Sequence, residues 1–151
     1  MVSASSGSDF VLESLDSIPE LEVPYLCEIW NWQGDTSVLP FKFESVLNAA
    51  SIEPEAYSHT KLKQTYVSDE RFDPMGFFFL TSRSQAIGLT FAFKSETDED
   101  TFEIPYLVCV PKHKEKGVEQ ALLSLILTYI KQKGGKRVVL KAPAQNLIAA
   151  Y

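Results

Sequence analysis

The chain has 151 residues, of which 45% are hydrophobic and 12% aromatic, and its net charge is −6 at pH 7. This length is enough for one domain with its own core, so a second full domain is excluded and no disulfide or metal is needed to stabilise the fold. The acidic balance argues against nucleic acid as a general partner.

The beginning of the chain lacks the basic region and apolar segment of a signal peptide. The longest apolar stretch, residues 121–130, is interrupted by Ser124, Thr128 and Tyr129, so we expect no membrane span and a cytoplasmic protein. Cys27 and Cys109 have no CxxC spacing, and we expect no metal site.

The charges are distributed unevenly along the chain. Residues 1–111 carry 18 acidic and 6 basic side chains, whereas residues 112–151 carry 2 acidic and 8 basic ones. The C-terminal quarter therefore either attracts an anionic ligand or forms an ordinary solvated helix face.

The N-terminal part of the chain gives weak structural signals. Residues 1–8 are rich in Ser and Gly and predict a disordered tail, after which residues 9–151 form a single domain. Residues 10–14 predict a short strand. Residues 19–32 contain Pro24, which breaks helices. We nevertheless predict a helix over 19–32, because the spacing is near-helical for Leu21, Tyr25, Glu28 and Trp32.

The middle of the chain changes from helical to β-rich patterns. One apolar stripe predicts a helix over 42–50, and residues 55–66 are expected to add another helical turn or two. Two β-rich runs, 77–81 and 86–93, flank a four-residue polar connection, which predicts a β-hairpin. The acidic segment 95–100 is expected to be a polar loop.

A third strand of the same sheet is predicted over 102–110. It contains Pro105 and is followed by Pro111, and proline cannot donate to a strand ladder. We therefore expect each proline at a bulge or where the strand loses its neighbour. A strand that separates from its neighbour leaves backbone groups free to bind a ligand.

The C-terminal quarter gives the strongest signals. Residues 118–133 form a broad apolar face typical of a helix, which Gly134 and Gly135 are expected to end. Residues 137–141 predict a buried strand, parallel and adjacent to 102–110 because the helix forms a crossover.

No later sequence supplies strands beyond 137–141, so we expect an unfinished sheet edge there. An exposed edge is an aggregation hazard. The N-terminal segment, a second copy in a homodimer or residues absent from this sequence are expected to cover it.

The segment from Lys112 to Glu119 joins the third strand to the long helix. A loop that ends in glycine and exposes helix amides just after a strand is how proteins bind pyrophosphate. Gly117 is its only glycine, so neither the dinucleotide fingerprint nor the P-loop pattern is present. A lysine-rich helix start kept for solubility explains the same residues.

The order of hairpin, separating strand, phosphate-type loop, long helix and short strand over 76–151 resembles the GNAT superfamily of acyl-CoA-dependent N-acetyltransferases. Gly88 lies where that family commonly has a glycine early in its third strand. Residues 103–111 resemble its fourth strand, and 114–119 fall on its acetyl-CoA signature. That signature is Arg or Gln, two variable residues, Gly, one variable residue, then Gly or Ala.

The matches have exceptions. Asn146 and Ala149 match the Asn and Ala of the helix after the family's fifth strand, but the tyrosine that commonly follows seven residues later has no equivalent, since Tyr151 is only five residues beyond. Lys114 replaces Arg or Gln, which keeps a cation. Glu119 replaces the small residue that lets the helix approach the diphosphate, and it adds a negative charge there.

The resemblance implies an α/β (α+β) fold, a mainly antiparallel mixed sheet flanked by helices, with the family's final β-hairpin apparently missing. It implies acetyl-CoA as co-substrate and an amine acceptor, with Glu103 as the base. The pantetheine arm would bind the strand backbone at Leu107, Val108 and Cys109. The other residues implied to bind acetyl-CoA are Lys114, Glu115, Lys116, Gly117, Val118, Glu119 and Asn146.

Several side chains have a structural interpretation beside the functional one. Glu103 is either a base or a surface-facing strand residue, and Tyr106 either a hydrogen-bonding acid or core. Cys109 in an apolar strand is expected to pack rather than react, and His113 to be solvent-exposed. The two tryptophans, Trp30 and Trp32, either line an acceptor cleft or belong to the core.

Two functions remain open from the sequence. One is an acyl-CoA-dependent N-acetyltransferase, which the lysine-rich loop and Gly117 favour. The other is a degenerate GNAT-like domain that serves as a non-catalytic binding or regulatory module, which Glu119 and the missing tyrosine favour.

Overall fold

The computed structural model describes residues 2–5, 9–18, 20–32, 45–46, 63–113 and 116–140. These residues form one seven-stranded sheet with a long helix on one face. The helix, α1, spans Val118–Gln132. The strands are β1 (Val2–Ser5), β2 (Asp9–Leu12), β3 (Cys27–Asn31), β4 (Phe77–Ser82), β5 (Gln85–Lys94), β6 (Thr101–Cys109) and β7 (Arg137–Leu140).

The sheet order is β1-β2-β7-β6-β5-β4-β3. Every neighbouring pair is antiparallel except β6 and β7, which are parallel and joined through α1. This confirms the predicted mixed α/β sheet, the hairpin of β4 and β5, and the crossover. The turn of that hairpin is tighter than the sequence indicated, because only Arg83 and Ser84 connect the strands.

β6 carries the predicted irregularity at Pro105. Phe91 of β5 is opposite Tyr106, but Phe93 is opposite Glu103, so β6 has an extra residue between these pairs. On its other side β6 pairs with β7 only from Thr101 to Ile104. Within the described part of the chain, no strand pairs with 105–109 on that side.

α1 confirms the predicted helix over 118–133 and its glycine end. The N–H of Gly135 donates to the carbonyl of Ile130 at 2.9 Å, and that of Gly134 donates to Lys131 at 3.1 Å. These bonds satisfy carbonyls that the last turn would otherwise leave unpaired. No helix of the described residues is long and apolar enough to cross a membrane.

The N-terminal hairpin covers the sheet edge beside β7. β2 pairs with β7 in antiparallel register, with Val11 opposite Val139, and β1 pairs with β2. The expectation of a disordered tail over 1–8 is therefore wrong for residues 2–5, because an open sheet edge stabilises a strand whose composition does not predict one. The strand predicted at 10–14 is found at Asp9–Leu12, and the N-terminal segment is what covers the edge.

The helix predicted over 19–32 is wrong. The chain turns at Tyr25 and Leu26, and the N–H of Cys27 donates to the carbonyl of Pro24 at 3.0 Å. β3 then pairs with β4 along its whole length. The proline and the pairing with β4 outweigh the near-helical spacing of the apolar side chains.

The two helical predictions in the middle of the chain lie mostly outside the described residues. Of 42–50 only Ser45 and Val46 are described, and both are helical. Of 55–66 the described part begins at residue 63, where Lys63–Val67 form a π-helical turn.

The sheet face opposite α1 is an aromatic core. Phe91 stacks on Phe77 with ring centroids 4.9 Å apart and on Tyr106 at 5.5 Å. Trp32 packs against Phe77 at 5.6 Å and is buried. Trp32 and Tyr106 therefore belong to the core, and Trp30 lies 5.3 Å from Phe79 at its edge.

Candidate functional site

The candidate site lies where β6 passes into α1. The chain leaves β6 through a 3₁₀ turn, Pro111–His113, and enters the helix through a turn at Lys116 and Gly117. Gly117 has φ of +90°, a conformation that other residues adopt only with strain. A Cβ at this position would lie 3.7 Å from Pro24 Cγ, which is ordinary contact. The backbone angle, and not crowding, therefore requires this glycine.

The residue at the cap position of α1 makes no side-chain hydrogen bond to the first turn. Gly117 occupies the cap position and has no side chain to accept from the first-turn N–H groups. Its carbonyl accepts the N–H of Ala121 at 3.0 Å, which is where the helical ladder begins. The N–H groups of the helix residues before Ala121 point toward the N-terminal end of α1, where the helix dipole favours a negative charge.

Three cations surround this helix start. Arg83, from the turn between β4 and β5, lines a cavity of about 610 Å³ together with Lys112 and Lys116. Within the described residues, no ion pair joins these three to a carboxylate. The cavity is therefore positively charged and suits an anionic group. Its other described lining residues are Pro24, Tyr25, Leu26, Cys27, Ser82, Gln85, His113 and Val118.

His113 is half-buried beside these cations, and not fully exposed as the sequence suggested. Burial is the main reason that its pKa falls below the usual value, and the charges of Lys116 and Lys112 lower the pKa further. The imidazole is therefore neutral at pH 7, and a bound anion would raise its pKa again.

The backbone of Leu107, Val108 and Cys109 pairs with β5 on one side only among the described strands. Their side chains are buried, and the Cys109 thiol donates to the carbonyl of Val110 at 3.3 Å. This environment matches the expectation of a packed, unreactive cysteine.

Glu103 lies near the other end of β6 from the helix start. It is opposite Phe93 on one side and Val139 on the other, and it is half-buried. Cys109 lies six positions further along the chain, which is about 20 Å along a strand. The structure therefore does not bring Glu103 next to the start of α1. The two lie toward opposite ends of β6. Lys114, Glu115 and Asn146 lie outside the described residues.

Gly88 lets the first turns of α1 approach the sheet. A Cβ at this position would lie 2.9 Å from both Val118 Cγ1 and Leu122 Cδ1, and 3.2 Å from the carbonyl oxygen of Val108. Such distances require neighbouring atoms to move. The glycine noted in the sequence thus fixes how close the anion-facing helix end lies to β6.

Replacing Gly88 by Ala is expected to lower the free energy of unfolding by about 1–3 kcal/mol, because the added methyl group overpacks the contact with α1. Urea denaturation measures this change. Combining the substitution with Val118→Ala, which removes one of the clashing methyl groups, should cost less than the two single changes together. Strict additivity of the two would show that the helix does not lie against Gly88.

No protein-family model and no curated protein matches this chain. Solved structures do match. A GCN5-related N-acetyltransferase from Sphaerobacter thermophilus has a TM-score of 0.69 at 14% identity, over 90% of this chain and 43% of that one. The chain has the GNAT fold.

Further GNAT-fold structures agree. The ribosomal-protein-S18-alanine N-acetyltransferase from Escherichia coli gives a TM-score of 0.62 at 19% identity, over 83% of this chain and 74% of that one. N-acetylglutamate synthase from Neisseria gonorrhoeae, complexed with coenzyme A and N-acetyl-glutamate, gives 0.56 at 16% identity over 82% of this chain. This chain spans 43% of the Sphaerobacter protein and 27% of the synthase.

The GNAT fold confirms the resemblance drawn from residues 76–151. Sequence reasoning missed Arg83 and Pro24, which reach the α1 start from other parts of the chain. For Arg83 a signal existed, since a basic residue stands in a predicted hairpin turn that lacks Gly and Asn. Its φ of +52° is unusual for a residue other than glycine.

Proposed function

We propose that this chain is an acyl-CoA-dependent N-acetyltransferase that transfers an acetyl group to an amine. The observation that carries the proposal is the start of α1, whose cap residue Gly117 has no side chain, beside the cavity of Arg83, Lys112 and Lys116. Helix N–H groups and three cations that form no ion pair with a described carboxylate together suit the phosphates of coenzyme A. The shared fold with acetyltransferases supports the same assignment.

The proposal gives β6 two roles, which are to bind the pantetheine arm and to carry the base, Glu103. Its backbone at Leu107, Val108 and Cys109, which among the described strands pairs with β5 alone, would hold the pantetheine arm, and the amides of 114–119 would hold the diphosphate. Acetyl-CoA supplies the thioester whose carbonyl carbon the amine attacks. Glu103 would accept the proton that the attacking nitrogen loses. The bond between the acetyl carbon and sulfur would break as the amide bond forms, and coenzyme A would leave as its thiolate. Asn146 is retained as a cofactor-binding candidate from the family resemblance alone.

Acetyl-CoA is expected to raise the melting temperature of the wild-type chain. At 100 times its dissociation constant, a ligand of the folded state stabilises it by about 2.7 kcal/mol. Lys116→Ala should weaken binding, because it removes a cation from the helix start. Lys136→Ala is the matched control, since it removes an exposed lysine from another part of the molecule. Equal weakening by both substitutions would show that net charge alone attracts the ligand.

Glu119 decides between this function and the non-catalytic alternative. Glu119→Ala places a small residue where the family has Gly or Ala, and calorimetric titration with acetyl-CoA should show tighter binding. A carboxylate about 4 Å from a phosphate oxygen costs on the order of 4 kcal/mol at an effective dielectric of 20, or about three decades in affinity. If the Glu119 carboxylate is directed away from the phosphates, Glu119→Ala should tighten acetyl-CoA binding by less than about tenfold. Gln120→Ala is the control.

The second candidate is a GNAT-like module that has lost cofactor binding. Glu119 in the first turn of α1 is the observation that favours it. Absence of acetyl-CoA binding from both the wild type and Glu119→Ala would defeat the acetyltransferase proposal and support this module.

A further inference from the structure

The segment before β3 ends in a tight turn that lies beside the start of α1. The N–H of Cys27 donates to the carbonyl of Pro24 at 3.0 Å, so Tyr25 and Leu26 occupy the two central positions of this Pro24–Cys27 turn. Pro24 Cγ lies 3.7 Å from the point that a Cβ of Gly117 would occupy. The turn is therefore next to the helix start, and its residues form one wall of the cation-lined cavity of about 610 Å³.

The turn presents two large apolar side chains to solvent. Tyr25 is 90% exposed and Leu26 is 59% exposed. Leu26 also has φ of +64°, in the left-handed region that favours Gly or Asn at this position of a turn. Exposed apolar surface and a strained backbone both cost stability, and packing does not explain a side chain as exposed as Tyr25. Backbone strain of this kind clusters at sites that bind ligands.

The same cavity combines this aromatic ring with positive charge. Arg83, Lys112 and Lys116 line it together with Tyr25, and among the described residues none of the three forms an ion pair with a carboxylate. Proteins bind nucleotides with this combination, because cations hold the phosphates and an aromatic side chain stacks on the base. An inorganic anion would use the cations but would leave the ring of Tyr25 in water.

We propose that Tyr25 stacks on the adenine ring of a nucleotide whose phosphates lie among Arg83, Lys112 and Lys116. This inference rests on the proposed function and deepens it, because coenzyme A carries an adenine nucleotide at the end opposite its thioester. Stacking would cover the exposed ring and would fix the direction in which the coenzyme lies. The adenine would lie toward the Pro24–Cys27 turn, and the pantetheine arm would extend toward β6.

ADP and inorganic pyrophosphate test the proposal, because both contain a diphosphate and only ADP carries adenine. Dissociation constants come from calorimetric titration of the full chain. Tyr25→Ala should weaken ADP binding at least about fivefold, since the stacking surface is lost, and should change the affinity for pyrophosphate less than about twofold. Equal effects on the two ligands, an unchanged affinity for ADP, or no binding of ADP to the wild type at millimolar concentration would each overturn the proposal.

Two further variants serve as controls. Tyr25→Phe keeps an aromatic ring at the same position and should bind ADP within about twofold of the wild type. Val23→Ala removes apolar surface from the same segment, at a residue that is 41% exposed and outside the described lining of the cavity, and should change neither ligand. If Val23→Ala weakens ADP binding as much as Tyr25→Ala, the effect belongs to the whole segment and the assignment to Tyr25 is wrong.

Proton NMR of ADP gives a second readout that a purely structural role of Tyr25 would not produce. A base stacked on a tyrosine lies above the ring, where the ring current shields its protons. The adenine ring protons should therefore move upfield when ADP binds to the wild type, and much less when it binds to Tyr25→Ala. Binding of ADP to the wild type without an upfield shift would overturn the stacking arrangement.

Titration of the same variants with acetyl-CoA separates this inference from the proposed function. Acetyl-CoA binding that Tyr25→Ala does not weaken would refute the stacking and leave the acetyltransferase proposal in place. Binding of ADP that depends on Tyr25, in a chain that does not bind acetyl-CoA, would support the nucleotide site and contradict the acetyltransferase proposal.

Discussion

Phe91→Ala is expected to lower the free energy of unfolding by about 3–5 kcal/mol, the range for deleting a buried aromatic ring. Phe91 is fully buried and stacks on Phe77 with an interplanar angle of 9°. It also contacts Tyr66 edge-on at 5.2 Å and stacks on Tyr106. Its removal leaves a cavity in the middle of the aromatic face that the neighbouring rings cannot refill. Urea denaturation measures the loss.

Phe91→Leu is the matched control, because it keeps an apolar side chain of intermediate size at the same position. It should cost less than half as much as Phe91→Ala. A loss below about 1 kcal/mol for Phe91→Ala would contradict the aromatic packing, since exposed substitutions change stability by about that amount or less.

Removal of residues 1–12 is expected to make the chain form larger species in solution than the wild type does. The deletion takes away β1 and β2, and β7 then loses its partner strand from Val138 to Leu140 on the side away from β6. It also uncovers the surface that Val11 and Leu12 bury. Size-exclusion chromatography with light scattering gives the mass of each species.

Leu12→Ala separates loss of packing from loss of the edge. This change keeps the hairpin, so the chain should keep the mass of the wild type in solution while losing about 2–5 kcal/mol of stability. A deletion variant with the mass and the stability of the wild type would show that the hairpin does not cover β7 in solution.

The sequence predicts β4, β5, β6, α1 and β7 because each has a strong local pattern. Alternation, turn residues and a helical apolar face all lie within one element. The N-terminal strands have no such signal. The Ser-rich start forms β1 only through its neighbour in the sheet, and Pro24 decides against a helix whose apolar spacing looks acceptable.

The candidate site likewise contains some residues that the sequence predicts and others that it does not. Gly117 and Lys116 stand in a recognisable local segment, and the structure shows them at the helix start. Arg83 comes to the same cavity from a hairpin turn, and Pro24 comes to it from the segment before β3. No spacing rule links such distant residues, because only the sheet order brings them together.

The pairing of β2 with β7 has a consequence for folding during synthesis. Phe10 is opposite Leu140, so the hairpin leaves the ribosome some 130 residues before its partner strand. A two-stranded hairpin alone is at best marginally stable in water. Val11 and Leu12 therefore have no partner strand until β7 has been synthesised, and the sheet closes by a contact of very large sequence separation, which makes folding slow. A nascent chain stalled before β7 would expose these residues to chaperones.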